Sequence, residues 1–259
     1  MSLSTNELND LKRAKALLEN PGFAAKITNL LGAPLEKGLA RLPAKISDGV
    51  QKAAHASLMK ATNVAVSSMN SKIKPESSDS FHKIAATVSG AAGGMFGLAA
   101  LAIELPISTI IMLRSISDIA RSEGEDISDM DTKLSCLSVF AMGGKSASDD
   151  ASESGYFAAR TAMASAVTEA AKYLARKGTV DATAPAVVRL ISLIASRFGI
   201  VVSEKAAAQA VPIIGAVAGA MINSIFIDHF QDMARGHFIV RRLEKKYGED
   251  VVQLAYKEA

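Results

Sequence analysis

Residues 84–103 read IAATVSGAAGGMFGLAALAI, a run of twenty positions without a charged side chain. A second uncharged run, AAAQAVPIIGAVAGAMINSIFI, covers residues 206–227. Each run is long enough to cross the hydrocarbon core of a bilayer, yet a helix buried on all sides of a soluble bundle has the same composition. Both runs are rich in Gly and Ala, which let helices approach closely. Three interpretations stay open: a membrane-spanning hairpin, a buried central hairpin, and an apolar core that opens to hold a lipid chain.

The remaining sequence shows apolar residues at helical rather than strand spacing. Residues 104–106, Glu-Leu-Pro, are predicted to interrupt the first run, with Pro106 in the first turn of a new helix. Gly199 is predicted to end a helix that begins near Pro185. Further helices are predicted at 4–20, 50–72, 129–142 and 156–177. The expected fold class is all-α, a multi-helix bundle with two long Gly/Ala-rich apolar central helices.

The composition excludes several classes of protein. A chain of 259 residues is long enough for one large domain. Its single cysteine, Cys136, rules out a disulfide framework and a Cys-based zinc site, and it is predicted to lie in the core. Because Trp is absent and aromatic residues are few, we expect no nucleic-acid partner. The first twenty residues do not resemble a secretory signal, so the expected location is the cytoplasm, with peripheral contact to the inner membrane.

The charge is unevenly distributed along the chain. Residues 1–75 carry 11 Lys and Arg against 5 Asp and Glu, and the run ESSDS at 76–80 is predicted to be a linker. We therefore predict a basic amphipathic helical segment at 1–75, a helical core at 80–250 and a C-terminal tail at 251–259. The basic segment would suit an anionic membrane surface or be an ordinary solvated face. The small polar residues at 143–155 predict a mobile lid.

A similar charged string follows each apolar run: RSISDIAR at 114–121 and DHFQDMAR at 228–235. If the two helices pack together, Arg114 can meet Asp228 or Asp232. Such a cluster would be a structural ion-pair network, or a polar floor that grips a carboxylate or phosphate headgroup. The candidate polar cluster is Glu104, Arg114, Asp118, Arg121, Asp228, His229, Asp232, Arg235 and His237. The candidate lining of the apolar cavity is Met95, Phe96, Leu98, Ile110, Ile213, Ile214, Met221 and Phe226.

The same residues permit a catalytic alternative. His229 and Asp232 stand three positions apart, with Asp228 adjacent. Glu104 and Glu204 would complete a metal shell, or the paired carboxylates beside His229 would serve acid–base chemistry. However, HExxH, GxSxG and P-loop motifs are absent, and the glycines at 90–97 follow no strand. We therefore expect no metal and no cofactor, and the sequence favours binding over catalysis.

Five blocks carry a family resemblance. They are GAAGGMFGLAALAIELPISTIIMLRSISDIARSEGED (90–126), CLSVFAMGG (136–144), SGYFAAR (154–160), RFGIVVSEKAAAQAVPIIGAVAGAMIN (197–223) and DHFQDMARGHFIVRRLEKKYG (228–248). Together they closely resemble the EcsC family of bacterial proteins, named after a member encoded beside an ABC transporter pair linked to secretion. The resemblance implies bacterial origin, a membrane-proximal place and a connection with envelope transport, but it assigns no reaction and no site residue.

The leading hypothesis is a helical binding protein that holds a lipid or fatty-acyl ligand between its apolar helices and visits the membrane surface. A second hypothesis is a metal-dependent or acid–base hydrolase that uses Asp228, His229, Asp232 and Glu104. A third is an accessory protein whose apolar runs contact ABC transporter subunits. The sequence alone does not separate the first hypothesis from the third.

Overall fold

The computed structural model describes residues 3–19, 22–31, 44–68, 97–143, 155–181, 183–209 and 216–259. Within these ranges the chain is helical almost throughout and contains no strand, which confirms the predicted all-α class. The helices are α1 (Thr5–Glu19), α2 (Phe23–Leu31), α3 (Ala44–Ser68), α4 (Gly97–Ser122), α5 (Met130–Met142), α6 (Gly155–Lys177), α7 (Pro185–Gln209), α8 (Ala216–Tyr247) and α9 (Glu249–Glu258).

Helix α8 is the spine of the fold, because α1, α2, α4, α5, α7 and α9 all contact it. Two contacts fix the direction of α4 beside it. Gln231 Nε2 donates to Ser115 Oγ at 2.8 Å, and the Arg242 guanidinium lies 2.9 Å from the Glu123 carboxylate just beyond the end of α4. Since residue numbers rise together along both helices, α4 and α8 are parallel and begin at the same end of the bundle.

The centre of the bundle is a cluster of aromatic side chains that come from four helices. Neighbouring rings lie 5.1–5.6 Å apart and mostly meet edge to face, a geometry that adds about 1 kcal/mol per pair to the burial of the rings. Cys136 is fully buried in the same core, and burial raises the pKa of its thiol to about 12. The clustered rings are Phe23, Phe140, Phe198, Phe226 and Phe230.

The N-terminal helices pack on this core. Helix α1 lies on α8, where Leu18 and the carbonyl of Ala14 occupy the space that a side chain at Gly236 would need. Helix α3 packs against α4 and α7. The predicted linker at 76–80 lies outside the described residues, so the division into an N-terminal segment and a core stays a prediction. Residues 249–258 form a helix that buries Val252 and Tyr256.

Helix α4 contains Pro106 in its interior, so the predicted interruption at residues 104–106 is wrong. A proline ring cannot donate a backbone hydrogen bond and crowds the preceding turn, which is why the sequence favoured a helix start there. The hydroxyls of Ser108 and Thr109 both donate to the carbonyl of Leu105, at 3.1 and 2.7 Å. Packing against α3 and α8 holds the helix through this point.

Helix α7 continues through Gly199 to Gln209, so the predicted helix end at Gly199 is also wrong. The side-chain amide of Gln51 on α3 occupies the space where a Cβ at residue 199 would project. This glycine therefore permits the close approach of α3 to α7. The second uncharged run, 206–227, is consequently divided between the end of α7 and the start of α8.

Among the described helices, α7 alone is long and apolar enough to cross a membrane. More than half of its most apolar stretch is buried inside the bundle, as is usual for the core helix of a soluble protein. Residues 84–96 of the first uncharged run lie outside the described residues, and its last positions form the start of α4.

Candidate functional site

One end of the bundle is formed by three helix termini that carry few charges. Helices α4 and α8 begin there, and α7 ends there, because Lys205 near its last turn reaches Glu104 near the start of α4. We call the surface that residues 97–107, 205–209 and 216–226 form the apolar end. It exposes two large apolar side chains, Ile107 at 38% and Met221 at 45%. Both lie in or beside the uncharged runs.

A buried ion pair lies beneath the apolar end. Lys205 Nζ donates to Glu104 Oε1 at 2.6 Å and stands 4.6 Å from the ring centre of Phe226. Lys205 is only 1% exposed. Burial lowers the pKa of its ammonium group, and the Glu104 carboxylate opposes that effect. A charge this deep requires a partner, so Glu104 and Lys205 together leave the region electrically balanced.

Two further polar groups, Glu204 and Asn223, lie on α7 and α8, and neither forms an ion pair among the described residues. Burial raises the pKa of Glu204 to about 7, although the backbone N–H of Ala24 donates to its carboxylate. Asn223, one turn before Phe226 on α8, is partly exposed as a residue, but its Oδ1 atom is buried. Among the described residues, that oxygen has no hydrogen-bond partner. A buried acceptor without a donor is costly, so Asn223 marks a place where a ligand group would be stabilised.

The residues predicted to line an apolar cavity fall in different places. Phe226 is buried in the aromatic cluster, Ile110 is partly buried on α4, and Met221 is exposed at the apolar end. Leu98 lies in the first turn of α4, where the structure describes the backbone alone. The predicted lining residues outside the described ranges are Met95, Phe96, Ile213 and Ile214.

The first charged string points away from α8. Arg114 is exposed, and Asp118 and Arg121 form an exposed pair at 3.0 Å. The side of α4 that faces α8 carries Ser115 instead, which accepts from Gln231. Helices α4 and α8 do pack together, but the face of α4 that contacts α8 contains Ser115 and not the neighbouring Arg114.

The second charged string faces α2 rather than α4. Asp232 pairs with Lys26 of α2 at 3.1 Å and with Arg235 at 3.2 Å. Asp228 is exposed, near the hydroxyl of Ser224. In the described part of the chain neither aspartate therefore forms an ion pair with α4, and the two strings do not build one polar floor.

His229 is buried where α5 ends against α8. Its Nε2 atom lies 3.2 Å from the carbonyl of Gly143, so the ring donates a hydrogen bond there. Burial lowers the pKa of His229 to about 4, with a further lowering from Lys26, while the contact to Gly143 and the charge of Asp232 oppose it. The ring is therefore neutral at neutral pH and serves to hold the end of α5.

A second histidine joins a hydrogen-bonded chain that sequence spacing did not reveal. His237 Nε2 lies 2.7 Å from Ser135 Oγ, and its Nδ1 lies 3.0 Å from the hydroxyl of Tyr156. Arg160 donates to that hydroxyl and forms a two-bond pair with Glu244 at 2.7 and 2.9 Å. The chain links α5, α6 and α8, and burial lowers the pKa of His237 well below its usual value.

The opposite end of α8 is rich in ion pairs, and we call it the ionic end. Glu125, 5% exposed, accepts hydrogen bonds from Arg241, Lys245 and Thr132. Burial raises the pKa of this carboxyl, but its three donors outweigh that effect and hold the pKa below its usual value. Arg241 also pairs with Asp131 at the start of α5. The bundle is therefore polarised along α8, with an apolar end and an ionic end.

The hydrolase hypothesis lacks an assembled centre in the part of the chain that the structure describes. No three His, Cys, Asp or Glu side chains come together there as a metal site requires. Glu104 is engaged by Lys205, His229 donates to Gly143, and Asp228 is exposed. These groups do not converge on one point where a substrate would react.

The fold and its polarity define the protein as an all-α bundle with a helix spine, a buried aromatic core and one apolar end. A family model described as the EcsC protein family matches residues 5–243. The chain belongs to that family, and the match includes the N-terminal helices as well as the blocks quoted above. The comparisons with curated proteins and with solved structures gave no match.

Proposed function

We propose that this protein is a binding protein that holds a lipid or fatty-acyl chain at its apolar end and works next to a membrane. The observation that carries the proposal is the parallel packing of α4 and α8, which brings residues 97–103 of the first uncharged run and residues 216–227 of the second to the same end of the bundle. Ile107 and Met221 are exposed at this end, and exposed apolar side chains that form a contiguous patch are typical of ligand or membrane contacts.

The charges around the bundle support this orientation. The apolar end has its nearest described charges in the buried Lys205–Glu104 pair and in Glu204. The ionic end, in contrast, carries arginine and lysine side chains paired with carboxylates. A molecule polarised in this way would approach a bilayer with its apolar end and keep its ionic end in water. The cytoplasmic face of the inner membrane, and the link to envelope transport, belong to this proposal through the family resemblance.

Two lysine substitutions at the apolar end test the proposal. Ile107→Lys and Met221→Lys, combined in one chain, place two charges where an acyl chain or bilayer would lie. The matched control is Val251→Lys with Leu254→Lys, since these two residues of α9 are also large, apolar and exposed, at 38% and 61%. Both double variants are surface changes, so both should fold as the wild type does.

The measurements are acyl content of the purified full chain by mass spectrometry, and flotation with vesicles of phosphatidylethanolamine and phosphatidylglycerol. Wild type and the α9 control should retain acyl compounds and float, and the apolar-end variant should lose both properties. The proposal is overturned if wild type holds no acyl compound and does not float, or if the two double variants behave alike. Retention of a protein in place of a lipid would favour an accessory role instead.

A further inference from the structure

The polar groups just beneath the apolar end indicate what kind of headgroup the ligand has, and this inference rests on the proposed function. Asn223 Oδ1 is the one buried side-chain acceptor at this end that lacks a partner among the described residues. It belongs to the turn of α8 that precedes Phe226, on the same side of the helix. Lys205 lies against the ring of Phe226, which follows Asn223 by one turn of α8.

The charges of this region disfavour an anion. Lys205 is already paired with Glu104, so an incoming carboxylate or phosphate would meet no unbalanced positive charge. Glu204 adds a carboxyl whose pKa is raised by burial, as happens where no cation compensates it. An anionic headgroup would therefore lose its hydration without gaining a counter-charge.

A hydroxyl satisfies these conditions. It carries no charge, it donates to an amide oxygen, and it also accepts from an amide nitrogen. We propose that Asn223, backed by the Lys205–Glu104 ion pair, is a hydrogen-bonding subsite for an uncharged hydroxyl headgroup on an acyl or alkyl ligand. Its ligand class is that of long-chain alcohols and acylglycerols rather than free fatty acids or phospholipid phosphates.

Three probes of equal chain length separate the headgroups: 1-dodecanol, 1-methoxydodecane, which cannot donate, and dodecanoate. Binding to the full chain is measured by equilibrium dialysis at a pH where dodecanoate is ionised. Because a site built around a hydrogen bond discriminates against ligands that lack it, 1-dodecanol should bind about tenfold more tightly than either other probe.

Asn223→Leu should remove this preference. The variant should bind 1-dodecanol about tenfold more weakly, while its affinity for 1-methoxydodecane stays that of the wild type. Ser224→Ala is the control, because it removes an exposed hydroxyl from the same turn of α8. Asn223→Leu should also unfold at a temperature equal to or above that of the wild type, since it removes a buried polar atom that lacks a partner. Asn223→Ala serves as a second variant if leucine does not fit.

The possible results distinguish this inference from the proposed function. Equal binding of all three probes, or tightest binding of dodecanoate, overturns the hydroxyl subsite and leaves the acyl site standing. A preference for 1-dodecanol that survives both substitutions at Asn223 also overturns the subsite. If none of the probes binds, the proposed function fails, and the subsite fails with it. The lysine variants at the apolar end should weaken 1-dodecanol and 1-methoxydodecane alike, since both uncharged probes depend on the same apolar surface.

Discussion

Acid should destabilise this protein through His229, and the size of the effect follows from its environment. The unfolded chain takes up a proton at this ring near pH 6.5, whereas the folded chain does so only at about pH 4. Between these two values the unfolded state binds more protons, so stability is lost as the pH falls. At pH 5 the loss from His229 alone corresponds to about 2 kcal/mol in the free energy of unfolding.

This loss is large for a single domain, whose total free energy of unfolding is typically about 5–15 kcal/mol. The physical causes are the burial of the ring between α2, α5 and α8 and the nearby ammonium group of Lys26. Asp232 lies close enough to moderate the effect but is itself shared between Lys26 and Arg235. The protonated ring would therefore be buried without a carboxylate of its own.

The substitution His229→Gln isolates the contribution, because a glutamine amide can still donate to the carbonyl of Gly143 but does not titrate. His237 contributes in the same direction as His229, and Glu204 in the opposite one. Both remain in the variant, so they cancel when the pH dependence of the variant is compared with that of the wild type.

The assay is urea denaturation followed by far-ultraviolet circular dichroism, at about pH 7.5 and about pH 5. The free energy of unfolding of the wild type should fall by about 2 kcal/mol more than that of His229→Gln between these pH values. An equal fall in both proteins would refute the reasoning, because it would show that the buried ring does not couple proton uptake to unfolding.

Three further predictions follow from buried groups and close helix contacts. Glu204→Gln should stabilise the protein by up to about 3 kcal/mol at pH 8 and by less than about 1 kcal/mol at pH 5. The reason is that the carboxyl ionises near pH 4.5 in the unfolded chain but only at about pH 7 in the folded one, so the folded state loses stability as the pH rises through this interval. Urea denaturation at the two pH values checks this. Gly236→Ala should cost about 1–3 kcal/mol, because α1 fills the space for the new methyl group; Gly49→Ala, with open space around it on α3, should instead stabilise by about 0.5–1 kcal/mol, and equal effects in thermal unfolding would contradict the packing. Arg160→Met should cost about 3 kcal/mol by leaving a buried carboxylate unpaired, whereas Arg189→Met breaks an exposed pair and should cost less than about 1 kcal/mol.

Helix limits could be predicted where the sequence carries a clear stop signal. The helix predicted at 156–177 ends at Lys177 in α6, and Gly178, at φ +69°, follows its last residue. The helix predicted at 129–142 is α5, and Asp129 is its N-cap residue, although its side chain makes no capping hydrogen bond. The helix ends predicted at Pro106 and Gly199 are wrong because tertiary packing, and not the local sequence, determines whether the helix continues there. Pro106 is tolerated inside a well-packed helix, and Gly199 makes room for a side chain of α3.

The contacts within the site could not be predicted, since they join residues far apart in the chain. Glu104 meets Lys205, and Ser135 meets His237, across about a hundred positions in each case. Spacing along one helix fixes only which residues share a face. It does not say which face meets a neighbour, and a shift of one residue was enough to replace Arg114 by Ser115 at the contact with α8.

That shift also changes where ligand discrimination is expected. The exposed pair of Asp118 and Arg121 is half solvated on each side, so its contribution to any binding would be small and screened by salt. An unpaired amide oxygen beneath the apolar end is different, because each ligand either supplies a donor there or leaves the oxygen without one. On the proposal made above, the free energy that separates one headgroup from another would therefore reside at Asn223, inside the uncharged run. The sequence suggested an anion held by arginine beyond the apolar helices, whereas the packing of α4, α7 and α8 favours a neutral donor held within them.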